Sequence, residues 1–165
     1  LAKTQILIEA KQVRKVICSA ARGRGKDLSA FEEQWKAGTI ELEVLAQGTF
    51  AERIRAGGAG IPAFYTPSAV GTDLANGKEI RRFNGRDYVL ETAIEADLTL
   101  IRGDIGDRFG NLTFRGSQAN FGPAMATAAK LVIAEVFTAQ EAPIAPDRVM
   151  LAGVFVDHVL AVGSR

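Results

Sequence analysis

The feature that most restricts the fold is an alternation of short apolar segments with helical stretches. Residues 13–19 and 40–45 have the length and the β-branched or alternating apolar content of strands. Helical patterns cover residues 2–11 and 28–37. Strands that alternate with helices predict a largely parallel sheet, because parallel neighbours need a crossover connection that covers a face of the sheet.

The second half of the sequence continues this alternation and adds a hairpin. Asn84-Gly85 separates two strand-like arms within residues 80–90, and Asn-Gly favours a two-residue hairpin turn. No internal repeat or low-complexity linker interrupts the chain. The predicted fold class is α/β, with a largely parallel open sheet covered by helices, an added β-hairpin and a single domain over residues 1–165. Further strands are predicted over residues 97–102, 112–114, 131–136 and 154–162, and a helix over 123–129.

The composition excludes several functional classes. The 165 residues are 47% hydrophobic, which is enough for a sizeable core. The 20 basic and 19 acidic residues nearly cancel, so nothing favours nucleic acid or an anionic membrane as a partner. A single cysteine excludes an internal disulfide and favours a reducing cytoplasm, where we expect the protein to be located. No apolar run approaches the roughly 18 residues of a membrane-spanning helix, and no signal peptide is evident.

Few side chains offer chemistry of their own. His158 is the only histidine and stands beside Asp157 in an apolar segment, so a structural role is favoured over a catalytic one and no metal site can be assembled. Cys18 ends a predicted strand and is expected to be a small buried hydrophobe. No Gly-x-Ser-x-Gly nucleophile motif occurs. The basic run at residues 22–26 could touch phosphate, but a solvated loop is the favoured interpretation.

The start of one helix is the better candidate for a binding site. Thr49 and Glu52 form a capping-box pattern, which predicts that a helix begins at Thr49. Gln47 and Gly48 come just before it, directly after a predicted strand. The carboxyl ends of parallel strands border the ligand crevice in open α/β sheets, and a helix amino terminus stabilises an anion there. Gln47 could therefore donate to a carboxylate, although a plain turn with an exposed Gln47 explains the spacing equally well.

A glycine-rich segment follows this helix. Gly57, Gly58 and Gly60 do not form Gly-x-Gly-x-x-Gly, and they end a helix instead of opening one, which argues against a dinucleotide site. The segment could fold back as a wall of the crevice beside Gln47.

The segment from Gln47 to Thr72, QGTFAERIRAGGAGIPAFYTPSAVGT, resembles the signature of the A (alpha) subunit of 3-oxoacid coenzyme A transferases, the family I CoA-transferases. The resemblance extends through GKEIRRFNGRDYVLETAIEADLTLIRG, GDRFGNLTFR and NFGPAMATAAKLVIAEV, and back to VRKVICS and IELEV. It implies a Rossmann-like α/β fold and transfer of CoA between two carboxylic acids, of the acetate, acetoacetate, succinate or 3-oxoadipate type. It also implies that the partner is a B (beta) subunit, which carries the nucleophilic glutamate in a Glu-x-Gly motif.

The same resemblance implies that the substrate-binding residues are Gln47, Gly48, Gly58, Ala59 and Gly60. It implies no cofactor, because the CoA thioester is a substrate, and no catalytic residue in this chain. The sequence patterns agree with the last point, since Glu32, Glu33, Glu52 and Glu91 fall in helical or hairpin surface patterns typical of solvated or capping residues.

The sequence departs from the family pattern in several places. The chain opens at Leu1 and contains neither Gly-Gly-Phe-Gly nor Asn-Asn-Ala-Gly, which the family carries in an N-terminal segment near the substrates. Either the sequence is incomplete or the protein lacks part of the pocket. Ala46 stands where the family has proline, RGSQANF at residues 115–121 has lost two basic residues, and Leu151-Ala152-Gly153 replaces Thr-Pro-Gly. The identity of the exchanged acids and the stoichiometry of the assembly are therefore left open.

Two other functional classes are open at this point. A sugar-phosphate isomerase on a related fold would need an acid and a histidine in a phosphate loop, and the lone His158 argues against it. A non-catalytic or structural member of the family would account for the departures from its pattern.

Overall fold

The computed structural model describes residues 2–21 and 28–163, and its contacts divide the chain into two units. The first unit comprises residues 1–50 and 66–89, and the second comprises 51–65 and 90–165. The basic run at residues 22–26 lies outside the described residues.

The first unit contains a parallel strand pair and two helices. Strands β1 (Lys15–Cys18) and β2 (Glu41–Val44) pair in parallel from Lys15–Glu41 to Cys18–Val44. Helices α1 (Ala2–Glu9) and α2 (Ala30–Lys36) flank them in sequence. The start of α2 follows from its capping box, in which the Ser29 hydroxyl accepts from the Glu32 N–H while the Glu32 carboxylate accepts from the Ser29 N–H at 2.8 Å.

The predicted hairpin is confirmed in the same unit. Strand β4 (Ile80–Phe83) pairs antiparallel with β5 (Arg86–Thr92), whose last residues belong to the second unit. The turn requires positive φ at both central residues, and Asn84 (φ 47°) and Gly85 (φ 80°) adopt it. Strand β3 (Ala63–Thr66) completes a three-stranded sheet in the order β3-β5-β4.

The second unit is built on a parallel sheet of three strands. These are β6 (Ala96–Asp107), β7 (Ala129–Gln140) and β8 (His158–Ala161), in that order. Helix α3 (Gln47–Gly58) runs from the first unit into this one, and helix α4 (Gly122–Thr127) connects β6 to β7 in sequence. The core lies against one sheet face, where alternate residues of the strands pack on residues from the loops and α4. Its buried members are Ile101, Leu112, Phe114, Ala126, Val132, Ala134, Val136 and Leu151.

The prediction of parallel strands alternating with helices is thus confirmed, with the parallel strands divided between two sheets. Two element predictions are wrong. Leu112 makes only isolated bridges to Gly106 and Leu151, so residues 112–114 are not a strand. Within residues 154–162 only β8 is a strand, because the Gly153–Phe155 segment forms one of the four short 3₁₀ turns found among the described residues. The other three turns are Asp73–Ala75, Gly116–Gln118 and Pro146–Arg148.

Candidate functional site

Helix α3 begins two residues earlier than its sequence pattern predicts. Gln47 is its first residue, and the Phe50 N–H already donates to the Ala46 carbonyl at 2.9 Å. Thr49 is therefore the third helical residue and cannot act as the N-cap, because an N-cap lies outside the helix in extended backbone. Its hydroxyl oxygen is buried without a hydrogen-bond partner. The predicted capping box between Thr49 and Glu52 is wrong, and Glu52 instead pairs with Arg55 at 2.9 Å.

The start of α3 lies at the carboxyl end of the parallel pair β1-β2. Cys18 and Val44, the last residues of the two strands, are register partners, and the Leu45 N–H donates to the Cys18 carbonyl at 3.0 Å. After Ala46 come Gln47 and Gly48, which are exposed to solvent. This is the strand edge at which open α/β sheets bind ligands.

The first turn of α3 is suited to an anion. The N–H groups of Gln47, Gly48 and Thr49 have no carbonyl of a preceding helical turn to accept their hydrogen bonds, and the helix dipole adds positive potential. A Cβ placed on Gly48 would meet no atom within 4 Å, so the space above this turn is open. The carboxamide of Gln47, the first residue of the helix, can donate a further hydrogen bond to the anion.

The other predicted binding residues lie at the opposite end of the helix. Gly58 is the last residue of α3, and Ala59 and Gly60 follow it. Eleven steps of helical rise separate Gln47 from Gly58 by about 16 Å. The structure thus brings Gln47 and Gly48 together but does not bring Gly58, Ala59 or Gly60 to them.

Close packing and helix termination account for the glycine cluster. A Cβ on Gly57 would lie 2.2 Å from the Ile94 carbonyl oxygen, and one on Gly58 would lie 2.1 Å from the Thr127 hydroxyl oxygen. Neither position has room for a side chain. Gly60 adopts φ +68°, and the Ile61 N–H returns to the Ala56 carbonyl at 2.9 Å, as in a glycine-terminated helix.

The four glutamates considered as nucleophiles are ion-paired, act as a helix cap or are exposed to solvent. Glu91 is only 3% exposed, so its assignment to a surface pattern is wrong. The reason is that it lies on the buried side of β5, with an oxygen 3.8 Å from the buried Arg53 guanidinium. Arg53 also donates through Nε to the Thr92 carbonyl at 2.6 Å, which ties α3 to the end of β5. Glu32 caps α2, Glu52 pairs with Arg55, and Glu33 is exposed.

A buried carboxylate that the sequence interpretation missed lies at the end of β6. Asp107 accepts from the N–H groups of Phe109 (2.9 Å), Asn111 (3.0 Å) and Ile144 (2.8 Å), and from Asn111 Nδ2 (3.0 Å). Burial acts to raise the pKa of Asp107, but these hydrogen bonds outweigh it and hold the pKa below its usual value. The pattern Asp-x-x-Gly-Asn at residues 107–111, typical of a turn, is the signal that could have identified it.

An open cavity of about 460 Å³ adjoins this turn at the carboxyl ends of β6 and β7. Asp107, Arg108, Phe109, Glu141 and Asp157 contribute to its lining. The Arg108 guanidinium lies 4.7 Å from the centre of the Phe109 ring. Because acidic and basic groups are mixed here, the cavity favours no single charge of ligand.

The histidine and the cysteine form no constellation. His158 begins β8 and is exposed, and Cys18 is half-buried, less enclosed than predicted, with a free thiol. Within residues 2–21 and 28–163, no group of three or more His, Cys, Asp or Glu side chains is placed to hold a metal ion. In that same part of the chain, none of the helices combines the length and the apolar character needed to span a bilayer.

Comparison with known proteins supplies the family. The sequence profile described as Coenzyme A transferase matches residues 3–161. The chain is 50% identical over 159 residues to the A subunit of a 3-oxoadipate CoA-transferase from Pseudomonas putida, covering 96% of this chain and 68% of that protein. It is also 50% identical over 155 residues to the A subunit of a succinyl-CoA:3-ketoacid coenzyme A transferase from Xanthomonas campestris pv. campestris (strain B100), covering 93% and 62%.

A solved structure supports the fold independently. Glutaconate coenzyme A-transferase from Acidaminococcus fermentans superposes with a TM-score of 0.84 at 17% identity, covering 98% of this chain and 59% of that one. At this identity the likeness concerns the fold alone. The chain thus spans about two thirds of the length of the curated relatives, and the profile match extends over nearly all of it. The profile match and the relatives at 50% identity show that this chain belongs to the coenzyme A transferase family.

Proposed function

We propose that the chain is the A subunit of a CoA-transferase and shapes the pocket for the acid, while a B subunit supplies the nucleophilic glutamate. The proposal rests on 50% sequence identity to relatives named as the A subunits of 3-oxoadipate and succinyl-CoA:3-ketoacid CoA-transferases. The substrates would be a 3-oxoacid or short acyl-CoA and a carboxylic acid such as succinate or acetate. CoA enters as a thioester substrate, and no resident cofactor is required.

The reaction divides the work between the two subunits. The partner's carboxylate attacks the acyl-CoA carbonyl and expels the CoA thiolate, which leaves a mixed anhydride. The thiolate then attacks the glutamyl carbonyl of that anhydride, giving a glutamyl-CoA thioester and releasing the first acid. The second acid repeats these steps in reverse. Donors around the acid must hold its carboxylate and stabilise the oxyanions.

The start of α3 is the part of this chain best suited to hold the acid. Gln47 is the exposed first residue of α3, close in sequence to the carboxyl ends of β1 and β2. Its carboxamide can donate to a carboxylate oxygen, and a hydrogen bond to a charged group is worth about 1.5–3 kcal/mol. Gly58, Ala59 and Gly60 support the far end of the same helix, and their direct contact with substrate is part of the proposal.

The test is a CoA-transfer assay of the chain alone and after mixing with a B subunit. We expect transfer only from the mixture, because the four glutamates considered above have structural or surface positions. Glu32 caps α2, Glu52 and Glu91 lie beside arginines, and Glu33 is exposed on a helix. Transfer by the purified chain alone would contradict the division of roles, and an inactive mixture would favour a non-catalytic family member or an isomerase-like protein.

Cytoplasmic location is likewise a proposal, resting on the single free cysteine.

Variants of Gln47 locate the acid pocket within that assay. Gln47→Ala should lower kcat/KM for the acid by roughly ten- to a hundredfold, since 1.4 kcal/mol corresponds to a factor of ten. Gln47→Glu should lower it further, because it sets like charge against the substrate. Gln5→Ala is the matched control, as Gln5 is an exposed glutamine on α1 that donates to Glu9. Unchanged kinetics for Gln47→Ala with every acid would place the pocket elsewhere.

A further inference from the structure

The parallel sheet of β6, β7 and β8 has a second face, opposite the one that packs on the core. Side chains alternate between the two faces along each strand, and Ile101, Ala134 and Val136 point into the core. The neighbours of these residues in sequence therefore lie on the other side of the sheet. We define the outer face by its apolar residues Leu98, Leu100, Leu131, Ile133 and Leu160.

The leucines of the outer face are exposed and adjacent. Leu100 is 64% exposed, Leu160 is 52% exposed and Leu98 is 49% exposed. In the register of the sheet Leu98 lies opposite Leu131 and Leu100 lies opposite Ile133, so apolar side chains are neighbours across the two strands. Single exposed leucines are common on protein surfaces, whereas a large contiguous apolar patch is typical of an interaction site.

The connections between these strands cannot cover the outer face. Crossovers between parallel neighbours are right-handed, and the steps from β6 to β7 and from β7 to β8 go in the same direction, so both connections fall on one side of the sheet. The structure agrees, since Ala126 in the first connection and Leu151 in the second both belong to the core. Parallel sheets are almost always covered on both faces. The outer face therefore calls for a covering layer from outside these connections.

The charged groups on the outer side of the sheet favour an apolar partner. Arg102 and Glu135 are register partners on β6 and β7 and form an ion pair. The Arg102 guanidinium also lies 5.9 Å from the centre of the Phe137 ring. Because the two charges neutralise each other, this pair offers no net charge to an ionic ligand. A partner must therefore bring an apolar stripe of its own.

The dimensions of the outer face fit an α-helix. The strands β6 and β8 are two strand spacings apart, which is about 10 Å, and a helix with its side chains is about 10–12 Å wide. Leu98 and Arg102 are four residues apart on β6, which is about 13 Å or the length of a helix of about nine residues. One amphipathic helix can therefore lie over the apolar residues of all three strands.

The curated relatives are long enough to supply such a helix. Since 159 matched residues are 68% of the A subunit from Pseudomonas putida, about 75 residues of that protein have no counterpart in this sequence. A whole strand–helix–strand unit takes about 30 residues or more. The unmatched length thus has room for at least one helix that covers the outer face.

We propose that the outer face binds an amphipathic helix from the part of the relatives that has no counterpart in these 165 residues. The apolar stripe of the helix lies over Leu98, Leu100 and Ile133, and its polar side faces solvent. The inference goes beyond the proposed function and rests on the family alone, since it depends neither on Gln47 nor on a B subunit.

The test mixes the 165-residue chain with the unmatched residues of the Pseudomonas putida A subunit, expressed as a separate polypeptide with a fluorescent label. Fluorescence anisotropy measures the Kd. Leu100→Arg should raise the Kd at least tenfold, because it places an unpaired charge under the apolar stripe. Ile80→Arg is the matched control, since Ile80 is a 53% exposed strand residue of the hairpin, and it should bind as the wild type does. A wild type without affinity for the polypeptide, or one Kd for all three proteins, would overturn the proposal.

Alkylation locates the bound helix and uses a milder substitution, in case Leu100→Arg does not fold. In a Cys18→Ser background, the thiol of Leu100→Cys should react with iodoacetamide at least tenfold more slowly once the polypeptide is bound. The thiol of Ile80→Cys should react at its original rate. Equal rates for Leu100→Cys with and without the bound polypeptide would place the helix elsewhere and overturn the proposal.

The same variants distinguish two other occupants of the outer face. If the chain alone is a dimer in light scattering and Leu100→Arg is a monomer, a second copy covers the face. If a B subunit alone protects the thiol of Leu100→Cys, the B subunit covers it. Either result would overturn the proposal, whereas a monomer protected only by the polypeptide would support it. None of these measurements requires CoA transfer, so failure of the proposed function leaves the inference standing.

Discussion

At the scale of single residues, the most informative side chains are buried polar groups that a sequence pattern does not reveal. The hairpin pattern predicts Glu91 on the surface, yet it is buried against Arg53. The Asp-x-x-Gly-Asn pattern at residues 107–111 indicates a turn but not how many donors meet its acid, yet Asp107 accepts four hydrogen bonds. Periodicity reports which residues face a core, but a polar partner comes from a distant part of the chain. Ile144, one donor to Asp107, lies 37 residues away.

Replacing Asp107 should destabilise the fold. In Asp107→Asn the amide group faces N–H donors, so at least one buried donor loses its acceptor, and we expect a loss of about 3–4 kcal/mol in the free energy of unfolding. Urea denaturation measures this loss. The control is Asp97→Asn, because Asp97 and its partner Lys130 are highly exposed, at 91% and 80%. Its effect on the free energy of unfolding should be much smaller, because solvent screens an exposed ion pair. Equal effects of the two substitutions would contradict the structural role of Asp107.

The lowered pKa of Asp107 also predicts how stability depends on pH. Since its folded-state pKa lies below the ordinary value of 3.8, its carboxylate contributes fully above that value and loses its contribution as pH falls through the folded pKa. Between about pH 5 and pH 3, the free energy of unfolding should fall more steeply for the wild type than for Asp107→Asn. Denaturation curves across this range test it, and parallel pH profiles for the two proteins would refute it.

At the scale of elements, the sequence predicts which segments are helices and strands better than it predicts where they end. The hairpin at Asn84-Gly85 was predictable because few residues other than Asn and Gly accept positive φ at both turn positions. Helix α2 begins at a real capping box, whereas the same pattern at Thr49 and Glu52 lies inside α3. Capping motifs are local, and the chain can enter a helix earlier when the preceding strand ends close by, as β2 does at Val44.

Substitution of Gly58, at the end of α3, tests whether this residue is required for close packing or for substrate binding. Gly58→Ala would place a Cβ 2.1 Å from the Thr127 hydroxyl oxygen and 2.8 Å from the Thr127 carbonyl carbon. The backbone must move, so we expect a loss of about 1–3 kcal/mol in the free energy of unfolding. Gly48→Ala is the matched control, since its new methyl group meets open space and alanine favours a helix. Thermal unfolding compares them. A Gly58→Ala protein as stable as Gly48→Ala would mean that close packing does not explain Gly58.

At the scale of the whole molecule, the family resemblance predicted more than the periodicity of apolar residues did. Strand and helix patterns predicted an α/β fold with parallel strands, and the structure and the likeness to glutaconate coenzyme A-transferase confirm it. The patterns could not predict that the parallel strands are divided between two sheets, because sheet membership depends on pairing between distant segments. The position of the acid site was open on spacing alone. Only the combination of Gln47, the helix start and the strand ends identifies a candidate.

The central claim is that this chain holds the acid while another subunit forms the covalent intermediate. The direct measurement is peptide mapping by mass spectrometry after the mixed subunits are incubated with acyl-CoA and treated with borohydride, which reduces a glutamyl-CoA thioester to an alcohol. We predict that the reduced glutamate is found in the B subunit, whereas every glutamate of this chain is unmodified. A reduced Glu32, Glu33, Glu52 or Glu91 in this chain would contradict the account.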